Sequence, residues 1–368
     1  MFFRKKHTYT LTPIQELLLA LLRAQLWLKP VDDVKLPTTI DDWDFLMNLA
    51  YKQAVVCFIS AACLRHKDVD SIPCAIREEM HEVIEENKKI HKKHNEVLID
   101  LITFFEKKGF HPILLKGQGI AQMYLQPELR QCGDIDLFFV PEEYKKIKEE
   151  VQYLTDERAL IKETYKHFNF VYKGIEIEIH RNTCNFPNPF LNSKFKRWTY
   201  EYMRRPSYVV IYKKKILIPT ELYNIIYIFV HMWHHFECGK IKLRQLCDVI
   251  VITKSSLKDV SNKDFKAKLK YFSMYDNFLV FDFFSASLCG LTTDFMLEKR
   301  NRCSGKAKMF LSMVFQGGIP HMLFHDNYCM KFPYVPLSKI YKGVNYFLFY
   351  YPIIGQHVIW RFLNKIKK

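Results

Sequence analysis

The sequence predicts an α+β protein: a small mixed β-sheet core flanked by N- and C-terminal helical regions. Three observations carry that reading. Apolar residues recur at helical spacing through the first 105 residues or so. Between about 111 and 218 the pattern changes to short alternating runs. From Pro219-Thr220-Glu221 the helical period returns. The expected regions are 1–95, 96–220 and 221–368. The chain has 368 residues, enough for two or three domains.

In the first region, Thr12-Pro13 followed by Glu16 reads as a capped helix start. Helical spacing continues over 40–64, with Asp41-Asp42 near a helix start. A long charged segment then runs from Ile76 to Phe105, and Gly109 is placed to end it. In the second region, 111–115 and 135–140 read as strands, with a short helix over 120–125 stopped by Pro127. Pro141 opens another helix. Runs 168–172 and 175–180 flank Lys173-Gly174, a hairpin signal; 208–212 and 215–218 suggest a second hairpin. In the third region, 222–236, 241–253, 264–271 and 278–289 fit helices.

The formal net charge is +16, which favours anionic partners, although lysines scattered over helix faces are equally a solvated surface. From Lys331 onward there is no Asp or Glu. That aromatic and basic tail can pack as a terminal helix or meet an anionic partner. Ten cysteines form no CxxC pair, so free thiols in a reducing, cytoplasmic setting are expected rather than disulfides or a zinc knuckle. The N-terminal MFFRKKHTYTLTPIQELLLALL has basic residues and then an apolar run, but its amphipathic spacing favours a helix over a leader. No run of 18 uninterrupted apolar residues exists, so no integral membrane association is expected.

Chemistry concentrates in the second region. Gly133-Asp134-Ile135-Asp136 leads into an apolar strand. Strand side chains alternate, so Asp134 and Asp136 share one face while Ile135 and Leu137 share the other. Two acids on one face repel unless a cation neutralises them, and hard divalent ions such as Mg²⁺ favour such oxygen ligands. The run Ile175–His180, IEIEIH, likewise puts Glu176, Glu178 and His180 together. Glu178 can complete a metal site or accept a proton; the alternatives are a solvated face of an edge strand for Asp134 and Asp136 and an exposed hairpin face for Glu178. Lys116-Gly117-Gln118-Gly119 follows a strand, where backbone N–H groups and a lysine can meet a phosphate.

This order, LKG, then R-x-x-GDID, then E-x-H, resembles the DNA polymerase β-like nucleotidyltransferase superfamily. It looks most like a bacterial family of uncharacterised nucleotidyltransferases with a minimal core and helical flanks. The motifs cover about 111–180. The resemblance implies transfer of a nucleoside monophosphate from an NTP such as ATP, with two Mg²⁺ ions. By position it makes Asp134 and Asp136 metal ligands and Glu178 the third carboxylate. It implies phosphate contacts from Lys116, Gly117, Gln118 and Arg130. Two departures stand out: Gln118 takes the place of the usual glycine or serine, and Arg181 follows the histidine where the family often has tryptophan.

The acceptor, whether a protein, small molecule or RNA, is not legible. The alternative is a catalytically inactive nucleotidyltransferase-like protein that binds nucleic acid or a protein. His231, His234 and His235 in HMWHHF raise a third option, since His231 and His235 are one helical turn apart and can share a metal ion. Histidines packed against a core are the plainer reading. Asp248 reads as a cap or a partner for Arg244.

Overall fold

A computed structural model describes residues 11–152, 154, 162–164, 166–288, 304–317, 357 and 359–360. Along the chain, three helices come first: α1 (Pro13–Leu26), α2 (Ile40–Lys52) and α3 (Val56–Leu64). The long α4 (Cys74–Lys107) leads into β1 (Ile113–Leu115), α5 (Gly117–Ala121), β2 (Ile135–Phe138) and α6 (Pro141–Val151). Then follow β3 (Lys162–Glu163), β4 (His167–Tyr172), β5 (Ile175–His180), α7 (Pro189–Met203), β6 (Ser207–Ile211) and β7 (Lys214–Ile218). The described chain closes with α8 (Glu221–Glu237), α9 (Leu243–Ser256), α10 (Asn262–Tyr271), α11 (Tyr275–Leu288) and α12 (Ser304–Phe315). The fold class is α+β. The basic N-terminal run and nearly all of the C-terminal tail lie outside the described residues.

Local chemistry explains most boundaries. Thr12 caps α1 in a reciprocal box with Gln15, not Glu16, because Gln15 is the residue whose amide and side chain meet Thr12. The helical stretch expected over 40–64 breaks into two where Ala54 takes a positive φ of 53°. Gly109, at φ +80°, follows the end of α4, and the Phe110 N–H returns to the Phe105 carbonyl at 3.0 Å. Lys173 and Gly174 both have positive φ, the geometry a two-residue hairpin turn needs. Helix α7 had no counterpart in the sequence expectations, although Asn188 caps it and Pro189 opens it.

The described residues form two compact units. One draws on Met1–Pro73, Met232–Gln245 and Ser273–Lys368; the other on Cys74–His231 and Leu246–Phe272. The position between 95 and 96 falls inside α4, and α8 and α9 each contribute to both units. In the first unit, α1 packs against α2, α3 and α11, and α11 against α12. Trp233 stacks on Phe310 with ring centroids 5.5 Å apart.

The second unit holds a seven-stranded mixed sheet in the order β3-β4-β5-β2-β1-β7-β6. Strand β2 runs antiparallel to β1 and parallel to β5; β4 and β5 form the first hairpin, β6 and β7 the second. Ile135, Leu137, Ile177 and Ile179 point to one face and join a buried core with Leu98, Leu101 and Phe105 of α4 and Ile147 of α6. That burial is the main reason the register cannot slip: a one-residue shift would exchange these side chains for Asp136 and Glu178.

Candidate active site

The alternation that buries the isoleucines leaves Asp136, Phe138, Glu178 and His180 on the opposite face. The parallel register sets Asp136 beside Glu178 and Phe138 beside His180. Asp134 lies just before β2. Oxygen atoms of Asp134, Asp136 and Glu178 come within 4.8 Å of one another. Asp136 is 2% exposed, whereas Asp134 is open to solvent.

A lysine and a histidine answer the repulsion among these acids. Lys116 Nζ lies 2.7 Å from Asp136 Oδ1. His180 Nε2 lies 2.7 Å from the same oxygen and 3.1 Å from Glu178 Oε2. Burial disfavours a charged Lys116, yet Asp136, Asp134 and Glu178 hold its ammonium above the ordinary value. His180 behaves likewise: burial opposes its charge, but hydrogen bonds to Asp136 and Glu178 raise its pKa. Burial works to raise Glu178, and the bond from His180 overrides it to leave the carboxyl below its usual range. The cluster therefore attracts positive charge, and its all-oxygen donor set suits a hard divalent ion.

Strand β1 delivers Lys116 to this place. Leu115 pairs with Asp136, so the chain leaves β1 toward the start of β2. Lys116 takes φ 49° and ψ −141°, and Gly117 follows at φ +41°. A positive φ at lysine is strained, and here it turns the chain directly into α5. Gln118 is 2% exposed, and its side chain is engaged: it donates to Asn95 Oδ1 at 2.6 Å and accepts from Cys132 Sγ at 2.9 Å. The backbone amide is what Gln118 has left to offer a ligand.

Arg130 departs from the expected phosphate role. It is 3% exposed and holds Asp248 with two bonds of 2.8 Å, from Nε and Nη2. Tyr124 donates to the same carboxylate at 2.7 Å. The guanidinium is spent on α9 because a buried charge needs its counterion, and Asp248 supplies a fork-to-fork match. Arg130 thus braces the loop ahead of Asp134. Helix α4 braces it from another direction: His94 Nε2 lies 2.6 Å from the Gly133 carbonyl, and Asn87 donates to the Glu128 carbonyl at 2.6 Å.

Two groups were not anticipated from the sequence. His167, opposite His180 in the hairpin, brings Nε2 to 3.6 Å from Glu178 Oε1. His167, Glu178 and His180 form a second set of potential ligand atoms within 4.8 Å of one another. The Lys173-Gly174 turn would have revealed it, because that turn fixes the hairpin register. Tyr227 of α8 is fully buried, and its hydroxyl has no hydrogen-bond partner among the described residues. Burial holds its pKa well above the ordinary phenol value, and Cys184, Asp136, Tyr223 and Glu178 add to the effect. Of the metal-capable groups among the described residues, neither includes His231, His234 or His235. The His231 ring lies 6.1 Å from that of Tyr227, and His234 Nε2 3.7 Å from Cys238 Sγ.

A mixed sheet that offers three carboxylates and a lysine on one face defines an α+β protein with a candidate metal centre. A family model for uncharacterised nucleotidyltransferases matches residues 40–272, and the chain belongs to that family. No curated protein and no solved structure matches it. Among the described residues, no helix is long and apolar enough to cross a membrane.

Proposed function

We propose that the protein is a Mg²⁺-dependent nucleotidyltransferase that moves a nucleoside monophosphate from an NTP to an acceptor. The observation that carries this reading is the convergence of Asp134, Asp136 and Glu178 beside Lys116, on the face of β2 and β5 opposite the isoleucine core. Family membership supplies the reaction class.

In this reading Asp134, Asp136 and Glu178 hold two Mg²⁺ ions. Bound there, the ions supply charge neutralisation for the phosphates and favour ionisation of the acceptor hydroxyl. Lys116 offers its ammonium to the phosphates, with the backbone amides of Gly117 and Gln118 beside it. The acceptor oxygen bonds to the α-phosphorus, and the bond from that phosphorus to the bridging oxygen breaks. Pyrophosphate leaves with the electron pair. Glu178 is the carboxylate assigned to accept the acceptor proton. Arg130 acts through Asp248 as a positioning residue rather than as a phosphate contact. Such transfers depend on position and charge more than on covalent participation of the protein.

The test is incubation of the purified protein with Mg²⁺ and each α-³²P-labelled NTP, alone and with cell lysate. Label should move to a protein, RNA or small-molecule fraction with the intact chain and not with Asp134→Asn/Asp136→Asn. Absence of transfer from every NTP, with both versions folded, would favour a non-catalytic binding protein.

A further inference from the structure

A polar cavity of about 310 Å³ opens where β5 ends, lined by residues of the β5–α7 connection and of α7 itself. Arg181, Asn182, Asn185, Asn192, Lys196 and Tyr200 supply most of its chemistry. Two of the lining residues, Arg181 and Lys196, are cationic, although the Arg181 guanidinium lies over the Tyr144 ring, 5.8 Å from its centroid; three are carboxamides, and among the described residues no carboxylate lines it. We infer that this cavity takes the acceptor, and that the acceptor is a small molecule carrying a phosphate group. The inference rests on the nucleotidyltransfer reading.

Position is the first argument. Arg181 follows His180 directly, and the Asn182 carbonyl lies 3.4 Å from His180 Nδ1. Phe138, two residues beyond Asp136 on the same face, approaches the Tyr200 ring with centroids 6.5 Å apart. Because β2 and β5 are parallel, the cavity sits past the C-terminal ends of both. The Lys116–Gly117 turn lies toward the opposite end of β2, next to Asp134. Successive positions on one strand face are about 6.6 Å apart. The acids thus stand between a cationic turn on one side and a polar cavity on the other. An in-line displacement needs that arrangement, with nucleotide phosphates on one side of the reacting phosphorus and the attacking oxygen on the other. Tyr227 bears on both, since its phenol is influenced by Cys184 of the cavity and by Asp136 and Glu178.

Chemistry is the second argument. Several lining groups are already fixed by the protein: Thr183 and Thr199 bond the Tyr223 hydroxyl at 2.7 and 2.8 Å, and Asn192 accepts from the Phe186 amide. They form a rigid wall. Lys196 Nζ is carried over the Tyr200 ring, 5.7 Å from its centroid, at an exposed position of α7. A cationic, carboxylate-free wall favours an anion, and lysine and arginine are suited to phosphate. The volume is at the lower end of the range of small-ligand pockets.

Calorimetric titration of the intact chain with ribose 5-phosphate, and with ribose, tests this without nucleotide. Ribose 5-phosphate should bind and ribose should not. Lys196→Ala and Asn185→Ala should each weaken binding at least tenfold, while Asp134→Asn/Asp136→Asn should leave it unchanged. No binding, or binding indifferent to both cavity variants, would overturn the assignment. So would a comparable loss of ATP affinity in Lys196→Ala, which would make the cavity part of the nucleotide site. Loss of Mg²⁺-dependent ATP binding in no variant, with ribose 5-phosphate still held by the cavity, would instead sink the nucleotidyltransfer reading.

Discussion

Asp136 Oδ1 meets two nitrogens, Lys116 Nζ and His180 Nε2, both at 2.7 Å. A buried carboxylate so bonded is expensive to disturb, and its partners report on one another. Lys116 opposes protonation of His180, so Lys116→Met should raise the His180 pKa further, an effect visible by NMR titration of the imidazole. The same substitution should weaken NTP binding about tenfold, the scale of one charge-assisted contact. Burial pushes the Cys63 and Cys184 thiols up to about 12. The folded chain therefore keeps those protons where an unfolded thiol, near 8.5, gives them up. Stability contributed this way is complete below about pH 8.5 and is lost as pH rises toward 12. At pH 8, iodoacetamide should label exposed Cys74 in the folded protein and reach Cys63 and Cys184 only after denaturation, as peptide mapping would show.

Elements place these residues, and two junctions bear most on the site. The Arg130–Asp248 pair ties the loop before β2 to α9. Asp248→Ala should destabilise the protein by about 3–5 kcal/mol in urea unfolding, because it strands a buried guanidinium. KM for the NTP should stay nearly constant on the folded fraction; a large rise would return Arg130 to the phosphates. In the β6–β7 turn, Tyr212 and Lys213 both hold positive φ without a glycine. Lys213→Gly should therefore stabilise by about 1 kcal/mol, measured the same way. The strands and their faces were legible because alternation in GDID and IEIEIH is a period-2 signal that survives without an alignment. The helix Pro189–Met203 carried its own cap and N1 proline, and Leu191, Phe195, Trp198 and Met203 recur at helical spacing on its buried side, so its signal was present in the sequence although it was not among the expectations.

At the scale of the whole molecule, the sequence could say which face a residue occupies but not which distant residue it meets. Asp134, Asp136 and Glu178 were legible for that reason: Asp136 sits in β2 with Asp134 just before it, and Glu178 sits in a second alternating run. The partner of Arg130 was not legible because it is 118 positions away, on a helix whose contacts no local pattern encodes. Tyr227 was missed likewise, since only the packing of α8 brings it near the acids, whereas His167 follows from the hairpin register that the Lys173-Gly174 turn sets. The +16 charge gave a preference for anions without locating it; the cavity at Lys196 and the turn at Lys116 are two specific places where that preference can act. The central claim is that the three carboxylates form a metal site. It is tested most directly by titrating the metal-free protein with Mn²⁺, followed by electron paramagnetic resonance, with and without ATP. The intact chain should bind Mn²⁺, more tightly with ATP, and Asp134→Asn/Asp136→Asn should lose that binding while keeping its circular dichroism and unfolding transition. Equal Mn²⁺ binding by both folded proteins would contradict the account.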